Sequence, residues 1–292
     1  MTGMPRWNVW WRLMRFDRPI GILLLLWPTL WALWIAGEGR PSPRNLVIFT
    51  LGVVVMRAAG CVMNDVADRD FDPHVERTRS RPLAAGELRV RDALALFGLL
   101  MLIALGLVLM TNALTIKLAF AGAVLAVSYP FFKRVTHLPQ VVLGIAFGWG
   151  MVMAFAAERN AVPAIAWWLL AINTAWSVIY DTLYAMVDRE EDQALGLRST
   201  AILLGDHDLP VLRFLKLTMV LLLIWVGLKL ALSWPWYLGV AAAGALFVWQ
   251  QWLVRERGRD ACFRAFLNNN WVGLVIFAGL VGHYLQVGVG HV

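Results

Sequence analysis

Long uncharged stretches dominate the chain, and its polar positions are concentrated in a few connecting segments. Residues 20–36 and 93–116 contain no charged side chain, and as helices they are long enough to cross a hydrocarbon core of about 30 Å. The pattern therefore predicts an all-α integral membrane protein with nine transmembrane spans. The predicted spans are residues 20–36, 45–63, 93–110, 113–132, 138–157, 162–182, 211–230, 235–254 and 271–289.

Composition supports the same class of protein. With 60% hydrophobic and only 15% charged residues, the chain lies outside the usual range of soluble domains. In a soluble protein a net charge of +7 would suggest binding to nucleic acid. In this chain we expect contact with membrane lipids and no binding to nucleic acid. The first apolar stretch is long, contains Pro28 and lacks a small-residue cleavage site, so we expect a retained helix rather than a signal peptide.

The positive charges predict the orientation. When the connections are taken alternately, one side collects twenty Lys and Arg residues, the other collects five, and Arg57 lies within a span. The positive-inside rule then places the N-terminus and the even-numbered connections in the cytoplasm and the C-terminus outside, in the cell inner membrane. We expect one domain over residues 1–292, with two polar cap segments at about 64–91 and 183–210 on the cytoplasmic side.

The first cap segment begins with an acidic pattern. If the second span continues as a helix past the membrane interface, Asn64, Asp68 and Asp72 recur every four residues and project from one face. Three oxygen ligands are then predicted to line up.

The second cap segment repeats this pattern. Asp181, Asp188 and Asp192 are spaced seven and four residues apart, which also predicts a shared helical face. The intervals from Asp68 to Asp188 and from Asp72 to Asp192 are both 120 residues. This equal offset suggests an internal repeat in which each half presents one acidic face to a shared cavity.

Two such clusters indicate a metal and phosphate site. Mg²⁺ prefers oxygen ligands and is usually held by one or two carboxylates plus substrate phosphates. Arg77, Arg81 and Lys133 are near enough in the predicted topology to complete the neutralisation of a diphosphate. A solvated, charge-mixed loop is the plain alternative for one motif, but it explains two motifs on one membrane face less well. A substrate with a charged head and an apolar tail suits this location.

Arg57 has two possible roles. It lies seven residues before Asn64 and points the same way, at a depth where a charge usually faces a cavity or a partner. It either pairs with an acidic side chain or binds substrate, and pairing is the simpler interpretation.

A short turn between prolines, Tyr129 to Gln140, contains Lys133 and Arg134. Its cations are explained either by topology or by substrate binding. The sequence has no HExxH motif, Cys/His cluster, Walker motif or GxGxxG, so zinc, haem and nucleotide chemistry lack support.

Over nearly its whole length the chain resembles the UbiA superfamily of membrane prenyltransferases, most closely the branch that prenylates 4-hydroxybenzoate. The resemblance implies nine transmembrane helices around a central cavity, capped on the cytoplasmic side and open laterally to lipid. It rests on Arg18-Pro19-Ile20-Gly21, on the NDxxDxxxD motif from Asn64 to Asp72, on the YPFFKRVTHLPQ turn and on the DTxYAMVDREED segment.

The resemblance also implies roles for individual residues. The implied Mg²⁺ ligands are Asn64, Asp68, Asp72, Asp188 and Asp192. The implied catalytic residues are the four aspartates of this set together with Arg134. Arg134 would hold the aromatic acceptor. The implied diphosphate contacts are Arg77, Lys133 and, more weakly, Arg18, and Asp181 is implied as supporting. Independently of the resemblance, we expect Arg81 to contact the diphosphate because of its position, and Tyr129 and Arg57 to be supporting residues.

The activity implied by the resemblance is the Mg²⁺-dependent transfer of a polyprenyl group from polyprenyl diphosphate to 4-hydroxybenzoate, at the ring carbon ortho to the hydroxyl, in ubiquinone biosynthesis. Related acceptors remain alternatives: naphthoate, homogentisate, chlorophyllide or haem. A secondary transporter is the alternative from another class, and it predicts broken helices with polar residues at mid-membrane.

Overall fold

The structure, a computed structural model, describes residues 6–289 apart from the side chains of Arg6, Lys133 and Val289. All regular secondary structure in this range is helical. The helices are α1 (Arg6–Leu13), α2 (Ile20–Ala36), α3 (Pro43–Ala67), α4 (Val90–Leu109), α5 (Ala113–Ser128), α6 (Pro139–Arg159), α7 (Ala164–Ala185), α8 (Arg189–Ala194), α9 (Thr200–Leu204), α10 (Asp208–Lys229), α11 (Trp234–Leu253) and α12 (Arg259–Val289). Short 3₁₀ turns lie at Asp72–His74, Tyr129–Arg134 and Gly205–His207.

Each predicted span coincides with a long helix. Within residues 6–289, nine helices have sixteen residues or more. Six helical stretches there are long and apolar enough to cross a membrane, and α2 is a shorter apolar helix. The chain is thus an all-helical integral membrane protein, while the count of nine spans stays a prediction.

Helix α12 starts twelve residues before the predicted last span, at Arg259 rather than residue 271. Its polar residues 268–270 concealed this part of the helix, more than three turns long, in the sequence pattern. All three asparagines take part in side-chain hydrogen bonds with other helices: Gln250 Nε2 donates to Asn268 at 2.9 Å, Trp176 Nε1 to Asn269 at 2.9 Å and Trp27 Nε1 to Asn270 at 2.8 Å. Buried polar groups satisfied in this way are compatible with a membrane bundle.

The main core joins α2, α6, α7, α10, α11 and α12. At its centre the Trp31 and Trp176 rings stack with centroids 5.4 Å apart, and Trp31 Nε1 donates to the Gly273 carbonyl oxygen at 3.2 Å. A smaller core packs α1 against α3 and α4 through side chains such as Leu13, Ala58 and Val62. Helices α4 and α5 bury only Ala93, Leu100 and Thr115, as expected for a lipid-facing wall.

The polar connections lie together at one end of the bundle. The Arg134 guanidinium donates to the Ala67 carbonyl oxygen, and Arg198 Nη1 donates to the Val135 carbonyl oxygen at 2.7 Å. Arg134 also lies over the Phe71 ring, so these contacts join the segments 68–89, 129–138 and 186–207 at one end of the bundle, as the charge pattern predicted.

The predicted continuous helical faces are wrong for both acidic motifs. Helix α3 ends at Ala67, and Asp72 opens a 3₁₀ turn because Pro73 follows it and disfavours further α-helix. Helix α7 ends at Ala185, and Asp188 precedes the new helix α8 that contains Asp192. The equal offset of 120 residues is therefore not matched by equal local structure.

Candidate active site

A cavity of about 1610 Å³ extends from the polar end of the bundle between the helices. Its apolar part is formed by α2, α3, α4, α5 and α6, and its polar part includes both acidic motifs. Eleven of the predicted site residues line it: Arg18, Arg57, Asn64, Asp68, Asp72, Arg77, Arg81, Tyr129, Asp181, Asp188 and Asp192. The structure thus brings together most of the set that the sequence suggested.

In the first motif, Asn64 and Asp68 contact each other one helical turn apart. Asn64 Nδ2 donates to Asp68 Oδ2 at 3.1 Å, as the predicted spacing of four requires. The Asn64 Oδ1 atom is buried and accepts no hydrogen bond from any described residue. Such an acceptor is costly unless a donor or a cation joins it.

Asp72 is held by Arg81. Arg81 Nη1 donates to both carboxylate oxygens, at 3.0 and 2.8 Å. Burial raises the pKa of Asp72; Arg81 opposes this change, whereas the charges of Asp68 and Asp65 add to it, and the net result is a raised pKa. Arg81 thus offsets part of the repulsion that gathering these carboxylates creates.

Arg81 also connects the motif to Asp65, which the sequence analysis missed. Arg81 Nη1 lies 3.3 Å from Asp65 Oδ1, and Arg15 Nη2 donates to the same oxygen at 2.7 Å. Only 1% of the Asp65 side chain is exposed. Its position directly after Asn64 indicated a place near the site. The spacing of four residues, however, left Asp65 out of the predicted ligand face, and nothing in the sequence pairs it with Arg15.

The two motifs meet through Arg77. Arg77 Nε donates to the two carboxylate oxygens of Asp188 at 3.0 and 2.9 Å, and its Nη1 contacts the Tyr184 hydroxyl. The Arg77 guanidinium carbon lies 4.4 Å from the centre of the Tyr184 ring. Burial alone lowers the pKa of Arg77, but Tyr184 and Asp188 more than reverse this, so the pKa is raised and the side chain stays charged. Tyr184 was a second residue missed, because sequence spacing does not show which ring lies under a guanidinium.

Arg57 lines the cavity without an acidic partner. Among the described residues no carboxylate lies within ion-pair distance of it; its Nη1 contacts Cys61 Sγ, and its Nε is buried without a hydrogen-bond acceptor. The guanidinium lies against Gly21, where a Cβ atom would overlap it. The simpler prediction, pairing with an acid, is therefore wrong.

Arg134, the predicted acceptor contact, is not among the residues that line the cavity. It is exposed, and its guanidinium carbon lies 5.2 Å from the centre of the Phe71 ring while the group donates to Ala67. Arg18 lines the cavity, but it is largely exposed and lies 3.7 Å from Asp17. The side chain of Lys133 lies outside the described part of the structure, so its diphosphate contact stays a prediction.

The donor set fits a metal that is shared with phosphate. In the described range no group of three His, Cys, Asp or Glu side chains is arranged to hold a metal by itself. Asp72 and Asp188 already bind arginines, whereas the Asn64 oxygen accepts from no donor in the described part of the chain. Because Mg²⁺ usually combines one or two carboxylates with substrate phosphates, these oxygen ligands suit it when a diphosphate supplies the remainder.

Fold and cavity together define a class: a helical membrane protein whose carboxylate and guanidinium groups, at one end of the bundle, open onto an apolar chamber. Comparison with known proteins gives the family. The chain matches the UbiA prenyltransferase family over residues 25–274 and belongs to it.

Similar full-length proteins share one name. A protein from Methylococcus capsulatus named 4-hydroxybenzoate octaprenyltransferase is 56% identical, with 97% of each chain covered. Proteins of the same name from Chromohalobacter salexigens and Pseudomonas aeruginosa are 57% and 55% identical, covering 96% and 94% of this chain and 94% and 92% of theirs.

Solved structures share the fold. An apo UbiA homologue from Aeropyrum pernix K1 superimposes with a TM-score of 0.79 at 23% identity, covering 92% of this chain and 98% of that one. A UbiA homologue from Archaeoglobus fulgidus bound to GPP and Mg²⁺ gives a TM-score of 0.69 at 17% identity, with 96% and 99% covered.

Proposed function

We propose that this chain transfers a polyprenyl group from polyprenyl diphosphate to 4-hydroxybenzoate, at the ring carbon ortho to the hydroxyl, as a step of ubiquinone biosynthesis. The observation that carries the proposal is the ion pair between Arg77 and Asp188. It brings two carboxylate motifs to the polar end of an apolar cavity, which is the arrangement that a substrate with a charged head and a long apolar tail requires. The names of the similar full-length proteins support the same activity.

The diphosphate would bind between the two motifs. Asn64, Asp68, Asp72, Asp188 and Asp192 would hold Mg²⁺, which when bound supplies positive charge to the diphosphate leaving group. Arg77 and Arg81 lie in the same cavity wall and can move from the carboxylates to phosphate oxygens, for which guanidinium forks are suited. Asp181 and Tyr129 also line this part of the cavity.

The prenyl tail would lie in the apolar chamber. Its walls include Met101 and Leu105 of α4 and Ala119 and Ala123 of α5. An apolar wall excludes water, which would otherwise capture the allylic cation left when the carbon–oxygen bond of the diphosphate breaks. The ring carbon then forms the new carbon–carbon bond, and loss of the ring proton restores aromaticity.

Arg57 is the best candidate to bind the carboxylate of the aromatic acceptor. This guanidinium lies in the cavity wall, has no acidic partner among the described residues and leaves one buried nitrogen without an acceptor. Arg134, expected from resemblance, lies outside the lining. We therefore place the aromatic acid against Arg57 and keep Arg134 as the alternative.

The charge distribution supports the inner membrane, with the N-terminus and active site on the cytoplasmic side, the C-terminus outside and a single domain over residues 1–292. Residues 290–292 lie outside the described range. Cysteine labelling from either side of the membrane tests the orientation.

One substitution in each acidic motif tests the proposed function. In purified protein supplied with Mg²⁺, polyprenyl diphosphate and labelled 4-hydroxybenzoate, Asp68→Asn and Asp192→Asn should abolish transfer. Asp70→Asn is the matched control, because that side chain is 68% exposed and pairs only with Arg69 at 3.3 Å among the contacts described. Full activity of Asp68→Asn and Asp192→Asn would refute the assignment.

Competing acceptors and the transporter alternative are tested in the same preparation. Naphthoate, homogentisate, chlorophyllide and haem are offered beside 4-hydroxybenzoate, and the acceptor with the highest kcat/KM identifies the reaction. Consumption of prenyl diphosphate in detergent, where no ion gradient exists, contradicts a secondary transporter.

A further inference from the structure

Asp208 is a buried carboxylate outside both acidic motifs. It is the first residue of α10, and 0% of its side chain is exposed. Arg257 Nε donates to its two oxygens at 3.0 and 3.2 Å, and the Arg189 guanidinium contacts the same carboxylate. Asp208 therefore joins two arginines from different connections.

Arg189 ties this carboxylate to the second acidic motif. It directly follows Asp188 and is the first residue of α8, whose first turn is closed by a hydrogen bond from the Asp192 amide to the Asp188 carbonyl oxygen at 2.8 Å. A helix of six residues is not stable in isolation. Contacts with the rest of the bundle must therefore hold α8, and with it Asp188 and Asp192, in place.

Arg257 anchors the other side of the pair. It lies in the connection between α11 and α12 with φ of +54°, and its Nη2 also donates to the Asp206 carbonyl oxygen at 2.8 Å. A weaker and more exposed contact, Glu191 to Arg259 at 3.4 Å, joins α8 to the start of α12. Of the charged contacts made by Arg189 and Glu191 of α8, the one to Asp208 is the more buried.

We propose that Asp208 is a positioning residue, which through Arg189 fixes α8 so that Asp188 and Asp192 face the cavity. Asp208, Arg189 and Arg257 are all outside the cavity lining, so they act through α8 rather than on substrate. Removing the carboxylate leaves two arginines without their shared counterion, which is strongly unfavourable in a buried site. The inference rests on the proposed role of the second motif in binding metal and diphosphate.

The first test measures the order of α8 without any substrate. A nitroxide is attached to the cysteine of Ala194→Cys, at an exposed position at the end of α8. The protein without this substitution, treated with the same label, gives the background signal from the buried Cys61 and Cys262. Asp208→Asn should sharpen the nitroxide spectrum, whereas Asp206→Asn should not. Asp206 is exposed and carries the same charge two residues away. Identical spectra for Asp208→Asn and the parent would overturn the proposal.

The second test separates binding from turnover. Asp208→Asn should raise the Mg²⁺ concentration for half-maximal activity by about 10-fold to 100-fold, the usual effect of losing a group that orients metal ligands. The KM for the aromatic acid should stay the same. A lowered kcat with unchanged Mg²⁺ and diphosphate dependence would also overturn the proposal, because that is the signature of a general loss of structure.

Two arginine variants keep the proposal testable if Asp208→Asn does not fold. Arg189→Gln breaks the contact between Asp208 and α8. Arg257→Gln keeps that contact and removes only the other partner of Asp208, a side chain that is 35% exposed. Arg189→Gln should therefore have the larger effect on both measurements, and the reverse order would contradict the proposal. The nitroxide result judges the role of Asp208 even if Asp68→Asn and Asp192→Asn proved active, an outcome that would instead refute the proposed function.

Discussion

Arg77 and Asp188 lie 111 residues apart in the chain, and Arg77 Nε donates to the two carboxylate oxygens of Asp188 at 3.0 and 2.9 Å. This pair links the two polar segments directly, and it lies against the ring of Tyr184. Because Asp188 is a proposed metal ligand, Arg77 occupies the place that metal and diphosphate would share in the working enzyme. Arg77 would then exchange a carboxylate for a phosphate partner when substrate binds.

Loss of Arg77 should weaken use of the prenyl donor. Removing one partner of a buried charge pair costs at least about 2 kcal/mol, or roughly thirtyfold, which we expect as a fall in kcat/KM for polyprenyl diphosphate in Arg77→Gln. Arg77→Lys keeps the charge but not the two-point geometry, so its loss should be smaller than that of Arg77→Gln. Arg79→Gln, at an exposed position of the same segment, is the control and should behave like the parent. Equal kinetics for Arg77→Gln and Arg79→Gln would contradict the role.

Arg57 should govern the acceptor. A hydrogen bond to a charged group is worth about 1.5–3 kcal/mol, so Arg57→Gln should raise the KM for 4-hydroxybenzoate roughly tenfold or more while leaving the KM for polyprenyl diphosphate unchanged. Steady-state kinetics with each substrate varied in turn measures this. If Arg134→Gln raises the acceptor KM and Arg57→Gln does not, the acceptor lies against Arg134 instead.

Gly21 should matter because Arg57 lies against its α-carbon. A methyl group at this position would overlap the Arg57 guanidinium, so Gly21→Ala should displace that group and raise the KM for the aromatic acid. Gly60→Ala is a matched control on the cavity wall, since nothing lies within 4 Å of the Cβ atom it would add. A normal acceptor KM in Gly21→Ala would show that Arg57 can bind the acid from another position.

Asp65 should act mainly on stability. Its carboxylate is the shared partner of Arg15 and Arg81, and removing one member of a buried ionic group costs about 3–5 kcal/mol. We expect Asp65→Asn in detergent to unfold at a clearly lower temperature than the parent, while exposed Asp70→Asn unfolds at the parental temperature. An unchanged unfolding temperature in Asp65→Asn would mean that α1 and the segment after α3 are held by their apolar contacts alone.

Much of the fold follows from patterns that are local in the sequence. The helical parts of the predicted spans, and the end of the bundle at which the polar segments lie, agree with the structure because uncharged length and arginine position are one-dimensional properties. The contact between Asn64 and Asp68 was also predictable, since a spacing of four places two side chains on one face of a helix. Asp72 does not follow this rule, because α3 ends at Ala67 and Asp72 belongs to a separate 3₁₀ turn.

The sequence by itself determined the membrane, the two acidic motifs and the end of the bundle that carries them, because each depends on composition or on spacing along one segment. Only the tertiary structure decided the partners of those motifs: Arg77 with Asp188, Asp65 with Arg15 and Arg81, and Asp208 with Arg189 and Arg257. The pairs of Arg77 with Asp188 and of Arg15 with Asp65 join residues 111 and 50 positions apart. The reason is physical, since a charge buried in the bundle takes whichever counterion the packing of other helices brings within reach, and the sequence around it does not specify that neighbour.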